Sequence, residues 1–385
     1  MNKKTVEHSL IDIAKLFLRL GATAFGGPAA HISIMEDEVV SKRKWMTHQH
    51  FLDLVGATNL IPGPNSTEMS IHIGFNRAGY PGLLVSGICF ILPAVLITIF
   101  FGFIYRTYGT LPKIATFLQG INPAVIAIIF AASIRLGKKA IKNNIDLMAI
   151  GLIVFIASML NVDEIAVLFG GGIVGGLWLY LKNKLQKNAA SLLPLFQGIP
   201  GLISSGATAA AGITLWKIGF VFLKIGAVLY GSGYVLIALL QNELVNGNHW
   251  ITQKQLIDAI AVGQFTPGPL LSATAFIGFQ LHGLKGALVA AAATFLPSFI
   301  FVAIVNPIIP KLRRSNIMSK FLDAVNVSSV ALIAAVAIKF SISTFNNWIA
   351  VVIGIVSFFV LIKWNTNTAF VIIGGAVLGF AFSLL

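Results

Sequence analysis

Apolar residues in this chain come in long runs instead of the spaced stripes of a soluble helix or strand. About twelve runs can be placed. They fall at 10–30, 49–78, 80–105, 114–135, 146–160 and 163–181, then at 213–235, 252–281, 283–306, 319–340, 347–363 and 367–385. A bilayer-spanning α-helix needs about 20 apolar residues, so the pattern predicts an all-α, polytopic membrane protein. Two runs are interrupted by Pro-Gly-Pro, at Pro62-Gly63-Pro64 and Pro267-Gly268-Pro269. The last two runs of each half carry few polar residues and read as lipid-facing scaffold.

The runs repeat. At an offset of 205, Phe17, Leu18, Gly21, Ala22 and Gly26 recur as Phe222, Leu223, Gly226, Ala227 and Gly231. Arg19 recurs as Lys224, and Glu38, Trp45, Thr47 and Asp53 recur as Glu243, Trp250, Thr252 and Asp258. After the second Pro-Gly-Pro the offset becomes 204, which pairs Gly74, Gly79, Gly82 and Pro93 with Gly278, Gly283, Gly286 and Pro297. Asn122 pairs with Asn326 and Arg135 with Lys339. A register held this long marks a duplication. It divides the chain into a first repeat, 1–187, a Gly/Pro/Ser-rich linker, 188–208, and a second repeat, 209–385.

Loop charges predict that the second repeat is inverted. Residues 31–48 hold Lys42, Arg43 and Lys44, whereas the matching 236–253 lack basic residues in their central loop. Residues 135–145 hold Arg135, Lys138, Lys139 and Lys142, against Lys339 alone in 339–349. The loop after the third segment runs the other way, with Lys311, Arg313, Arg314 and Lys320 in the second half. Basic loops stay cytoplasmic, so equivalent loops face opposite sides. Inverted repeats of five to six segments, with re-entrant broken helices, are a common secondary-transporter plan. The expected arrangement is five crossings and one re-entrant hairpin per half, with both termini external and the basic 182–187 loop inside.

Composition narrows the function. Of 385 residues, 57% are hydrophobic and 10% charged, against about 25% charged in soluble domains. That excludes a cytosolic enzyme and a nucleic-acid-binding module. The net charge of +14 reflects the positive-inside bias and suits an anionic substrate. Cys89 is the single cysteine, so no disulfide, thiol redox pair or cysteine metal site is expected. The histidines are scattered, and no catalytic pair, metal constellation, cofactor motif or phosphate-binding loop is present. Asp12, Lys15 and Arg19 interrupt what would be the core of a cleavable signal peptide.

The candidate chemistry sits in the first two segments of each half. Two prolines around a glycine cannot continue a helix, and broken backbone at membrane depth survives only inside protein or beside water. The half-helix after Pro64 would present Asn65 and Ser66 to an anion, and its counterpart Ser272. Phe25, Gly26 and Gly27, with partners Gly231 and Ser232, allow either close helix packing or a backbone ligand role. Arg19 and Lys224 read either as a cation pair for a dianion or as snorkelling residues. Asn59 and Gln264 precede the breaks and could donate to an oxyanion. Glu68, whose counterpart is Ala273, reads equally as a proton-coupling acid or as a carboxylate capped near Asn65. Asn122 and Asn326 are expected to bond helix to helix. Asp53 and Asp258 are expected to pair or cap at helix starts.

These motifs resemble the chromate ion transporter family in its long, duplicated form. The resemblance rests on Phe25-Gly26-Gly27-Pro28, the Glu38 to Trp45 spacing, Pro62-Gly63-Pro64, the glycines from Gly74 to Gly82, and Pro93. It covers nearly the whole chain. It implies export of chromate across the bacterial inner membrane, which confers resistance, and a link to sulfate, which shares the charge and tetrahedral shape. Gln is common in the family where this chain has Glu68, and the second half has Gly-Ser-Gly for Gly-Gly-Pro. The reading is therefore a secondary transporter of chromate or a similar divalent oxyanion, with alternating access between the repeats. An oxyanion importer or exchanger, and an anion channel, stay open on the same scaffold. So does self-association as a homodimer. The expected partners are a small inorganic oxyanion and the lipid bilayer, with no nucleic acid.

Overall fold

A computed structural model describes residues 3–108, 112–160, 162–187, 213–305, 316–364 and 366–382. The 188–208 linker lies outside the described residues. All described regular structure is helical. The first half runs α1 (Lys3–Thr23), α2 (Gly27–Glu36), a π-helical segment π1 (Asp37–Lys42), α3 (His48–Thr58), α4 (Asn65–Tyr108), α5 (Pro112–Ile141), α6 (Ile145–Met159) and α7 (Glu164–Lys187). The second half repeats the order: α8 (Leu215–Val228), α9 (Val235–Leu240), π2 (Gln241–Gly247), α10 (Gln253–Phe265), a 3-10 turn (Leu270–Ser272) and α11 (Ala273–Val305). It closes with α12 (Asn316–Thr344), α13 (Trp348–Trp364) and α14 (Thr368–Phe382). Among the described residues, five helices are long and apolar enough to cross a membrane.

Local chemistry explains the boundaries. Thr47 caps α3 by accepting from the His50 amide, and Thr252 forms a reciprocal capping box with Gln255 on α10. Both satisfy amides that have no partner inside the helix. The segment expected at 10–30 is broken: α1 stops at Thr23 and α2 starts anew at Gly27. Gly26 and Gly27 take φ of 111° and 80°, values that only glycine adopts without penalty. Residues 31–42, expected in a loop, are helical, and 182–187 form the end of α7.

Both α4 and α11 turn back on themselves. A Cβ on Gly74 would collide with the Gly82 carbonyl, and one on Gly82 with the Gly74 carbonyl. Residues eight apart in a straight helix stand about 12 Å apart. The chain therefore reverses at Ala78–Gly79, where φ at Gly79 is 64°, leaving arms α4a (65–77) and α4b (80–108). Gly278 and Gly286 form the same close contact around His282–Gly283, giving α11a (273–281) and α11b (284–305).

The halves are intertwined. α1 packs on α4, α8 packs on α11, and α4 meets α11 between them. Gly21 lies against the Phe90 carbonyl and its counterpart Gly226 against the Thr294 carbonyl, the small-residue contact that lets helices approach in lipid. α6 and α7 pack on α12 of the other half, while α13 and α14 pack on α5. These late helices expose apolar side chains such as Leu152, Ile153, Ile355 and Phe359, but they also clamp the opposite repeat and are not scaffold alone. Leu84, Ile88, Leu92, Leu96 and Phe100 recur every four residues along one exposed edge of α4b, a lipid-facing stripe.

Candidate functional site: an electropositive cavity shared by both repeats

A cavity of about 700 Å³ lies where the two glycine motifs converge. Phe25, Gly26, Gly27 and the first residues of α2 line one side, and Gly231, Ser232 and Tyr234 another. Asn59 and Asn65 reach it from the two flanks of the first Pro-Gly-Pro break. α5 contributes Arg135 and Lys139, α12 contributes Asn326 and Ser329, and Asn367 and Thr368 bring the start of α14. Among the described residues, no Asp or Glu stands in this lining.

Charge and dipoles reinforce each other here. Arg135 and Lys139 are one turn apart on α5 and both are exposed. The first turns of α2, α4 and α14 also line the cavity. Each helix start carries roughly half a positive elementary charge in unsatisfied N–H groups. Two cations and three helix starts border a space whose described lining holds no carboxylate, and together they make it electropositive.

Hydrogen bonds fix the lining. Asn65 Nδ2 donates to Asn59 Oδ1 at 2.9 Å, tying the two sides of the break together. Ser329 Oγ donates to the Tyr230 carbonyl at 3.1 Å and so holds the backbone that enters Gly231. Asn367 Oδ1 accepts from the Ala369 amide at 3.0 Å and caps α14.

The Pro-Gly-Pro elements act from behind the cavity. None of Pro62, Gly63, Pro64, Pro267, Gly268 or Pro269 lines it. The Gly63 amide donates to the Leu229 carbonyl at 2.6 Å, and the Gly268 amide donates to the Ala24 carbonyl at 2.9 Å. Ala24 and Leu229 are repeat-equivalent and each immediately precedes a glycine motif. Each broken helix therefore positions the glycine motif of the other half. Ser66 and Ser272 are buried outside the cavity. Gln264 stands behind Tyr234 as its hydrogen-bond partner.

Several sequence expectations are corrected. Arg19 and Lys224 do not form a cation pair at the cavity. Arg19 Nη2 pairs with Glu38 at 2.6 Å and Lys224 Nζ pairs with Glu243 at 2.6 Å. Those glutamates sit on π1 and π2, so the equivalent cations fasten α1 and α8 to equivalent segments. Glu38 also receives Lys42 at 3.0 Å and Arg43 at 3.4 Å. Burial works to raise the Glu38 carboxyl, but the bonds from Lys42 and Arg19 outweigh it and hold the group below its ordinary value. Asp258 does not cap α10. It is fully buried and accepts from the Tyr105 hydroxyl of α4b at 2.8 Å. Asn326 faces the cavity, whereas its equivalent Asn122 bonds the Asp258 carboxylate. Glu68 is not capped near Asn65: both its oxygens are buried without a hydrogen-bond partner.

The cavity breaks the internal symmetry. The equivalent of Arg135 is Lys339, whose ammonium donates to the Ser158 carbonyl at 2.7 Å. The equivalent of Lys139 is Ser343, and that of Asn367 is Asp163. The mirror position therefore lacks the second cation and carries a carboxylate at the helix start. Among the described residues, the first of these two matching places is therefore the more electropositive.

Arg135 and Lys139 are the site residues that sequence reasoning missed. They were visible as basic residues at the end of an apolar run, where a loop charge and a cavity charge look the same. Asn326 and Ser329 carried no local signal beyond polarity within an apolar segment.

Sequence comparison agrees with this duplicated architecture. The profile of the family described as Chromate transporter matches the chain twice, over residues 11–176 and 216–380. A chromate transport protein of Cupriavidus metallidurans is 29% identical over 377 residues, covering 96% of this chain and 92% of that protein. A chromate transport protein of Pseudomonas aeruginosa is 28% identical over 344 residues, covering 84% and 79%. No solved structure matches the chain. With two family matches spanning both intertwined halves, the chain belongs to the chromate transporter family, a family of multi-pass membrane transporters.

Proposed function

We propose that the chain is a secondary transporter that binds a divalent tetrahedral oxyanion in the shared cavity and exports it across the inner membrane of a bacterium. The carrying observation is the lining: Arg135, Lys139 and three helix starts, with no acidic side chain. A dianion leaving water loses a large hydration energy, and only fixed opposite charge and donors offset it. Two unit charges with about half a charge from each helix start match that demand. The size of the cavity leaves room for part of the anion's water shell. Chromate is the first substrate to test, because the relatives bear that name, and sulfate is the isosteric competitor.

The intertwined repeats supply a route to alternating access. The loop charges argue that the second repeat is inverted with respect to the membrane. Rocking of one repeat against the other would close this cavity and open its mirror position. The cross-half bonds from Gly63 and Gly268 lie at the pivot, between the broken helices and the glycine motifs. In this reading the α3–α4a and α10–α11a pairs are re-entrant.

The test is transport by purified protein in sealed liposomes. Labelled chromate and sulfate are supplied with and without a pH gradient and internal sulfate. Saturable flux that Arg135→Ala abolishes is the expected result. Absence of flux for both anions from folded protein would overturn the assignment, and unitary current steps in a planar bilayer would replace the carrier with a pore.

A further inference from the structure

Among the described residues, Glu68 is the buried carboxyl without a partner. It is fully buried in the first turn of α4a, and neither oxygen has a hydrogen-bond partner. The other buried carboxyls are provided for. Glu38 holds Arg19 and Lys42, Asp258 accepts from Tyr105, and Glu164 bonds its own backbone amide and faces Lys339. Among the described residues, no Lys, Arg or His hydrogen-bonds to Glu68.

The surroundings of Glu68 are polar but equally unsatisfied. A Cβ on Gly63 would collide with Glu68 Oε1 and would stand 2.6 Å from Ser298 Oγ. The two oxygens therefore flank one point beside the first helix break. Ser298 Oγ and the neighbouring Thr67 Oγ1 are also buried and unpartnered. The close approach of Gly63 leaves no room for a metal ion and its several oxygen ligands. An unpaired buried carboxylate is costly, and binding a proton removes that cost.

Position links this acid to the cavity. Asn65 lines the cavity and Glu68 lies one turn further along the same helix start. An ionised Glu68 would place a negative charge at the helix start that helps hold the anion. The titratable groups nearest to it are Tyr230, on the loop after α8, and His72, one turn along α4a; Arg135 and Lys139 line the cavity itself. The repeat equivalent of Glu68 is Ala273, so the feature occurs once per chain.

We propose that Glu68 is a proton site linked to the anion cavity, so that a dianion and one proton bind together and travel together. This rests on the cavity being the anion site. The proton comes from bulk water on one side and returns to bulk water on the other, and no bond other than the carboxyl O–H forms or breaks. One proton carried with a dianion moves one net negative charge. A membrane potential negative inside then drives the pair outward.

The experiment measures sulfate affinity of the purified protein against pH, using sulfate because its own charge stays constant over the range. In wild type, affinity falls by up to tenfold per pH unit once Glu68 ionises in the free protein. In Glu68→Gln that dependence disappears. An equally steep fall in Glu68→Gln overturns the proposal. If the variant does not fold, wild-type affinity that is flat from neutral to alkaline pH overturns it instead. Infrared spectroscopy separates this failure from failure of the cavity assignment. A protonated-carboxyl band at neutral pH, lost in Glu68→Gln, supports the proton site even if sulfate does not bind. Absence of that band in wild type overturns it.

Discussion

The amide of Gly63 donates to the carbonyl of Leu229 at 2.6 Å, and this bond joins a helix break in one repeat to a glycine motif in the other. Gly268 and Ala24 repeat it with the halves exchanged. The Pro-Gly-Pro elements thus shape the cavity without touching what it holds. Gly63 has φ of 146°, a region that side chains avoid, and any Cβ would strike Glu68. Gly63→Ala is expected to cost about 2 kcal/mol or more from strain and steric conflict. Thermal unfolding in detergent checks it; a variant as stable as wild type would contradict the geometry.

The cavity assignment separates four cations. Arg135→Ala and Lys139→Ala each remove a charge that lines the cavity. A charge-assisted bond contributes about 1.5–3 kcal/mol, which corresponds to roughly 10- to 100-fold in affinity. Arg19→Ala and Lys224→Ala remove partners of Glu38 and Glu243. These two are expected to leave anion affinity within about twofold, while costing about 1 kcal/mol of stability because the pairs are partly exposed. Equilibrium binding of labelled sulfate to the four variants decides between the two sets.

The ion pairs of Glu38 set an acid limit. Its folded carboxyl lies below its ordinary value of 4.5, so its stabilising contribution is complete above that value. It is lost as pH falls through the lower, folded value. Between neutral pH and about pH 5 this group therefore leaves stability unchanged. Comparing wild type with Glu38→Gln by thermal unfolding should show a gap that is constant in that range and narrows only below it.

Tyr105 of α4b reaches Asp258 of α10 across the two repeats. Asp258 is fully buried, so removing the Tyr105 hydroxyl takes away one of its donors and leaves Asn122. Tyr105→Phe should destabilise the protein by about 1–3 kcal/mol. The double variant with Asp258→Asn should cost less than the sum of the single changes. Additive losses would mean that the two side chains do not act on each other.

Orientation is testable without function. Single cysteines at residues 42–44 and 246–250, placed in a Cys89→Ser background, should label from opposite faces of the membrane, with 42–44 cytoplasmic. Labelling of both stretches from one face would remove the inverted arrangement and the alternating-access scheme with it.

How much was legible in the chain follows from the range of each force. Apolar runs report burial residue by residue, so membrane class and duplication could be read directly, whereas about twelve runs stand against fourteen described α-helices. The two Pro-Gly-Pro elements could be located because two prolines around a glycine cannot continue a helix, while the reversals at Gly79 and Gly283 appeared only in the fold. Residues 31–42 were harder, since charged residues there suggested a loop while their tertiary partners made a helix. Glu38 needed Arg19, Lys42 and Arg43 around it to be buried.

Partnership is where reading from the chain ended. Arg19 and Arg135 are both arginines near the end of an apolar run, and nothing local says which one meets a carboxylate and which one faces water. Packing decided it: π1 brings Glu38 to Arg19, while α5, α12 and the start of α14 leave Arg135 beside an acid-free space. In the same way the pattern marked Glu68 as unusual, but only the folded contacts at Gly63 and Ser298 left it without a partner. Local composition determines what each segment can dissolve in. The distances between segments determine which charges are already satisfied and which remain for a ligand.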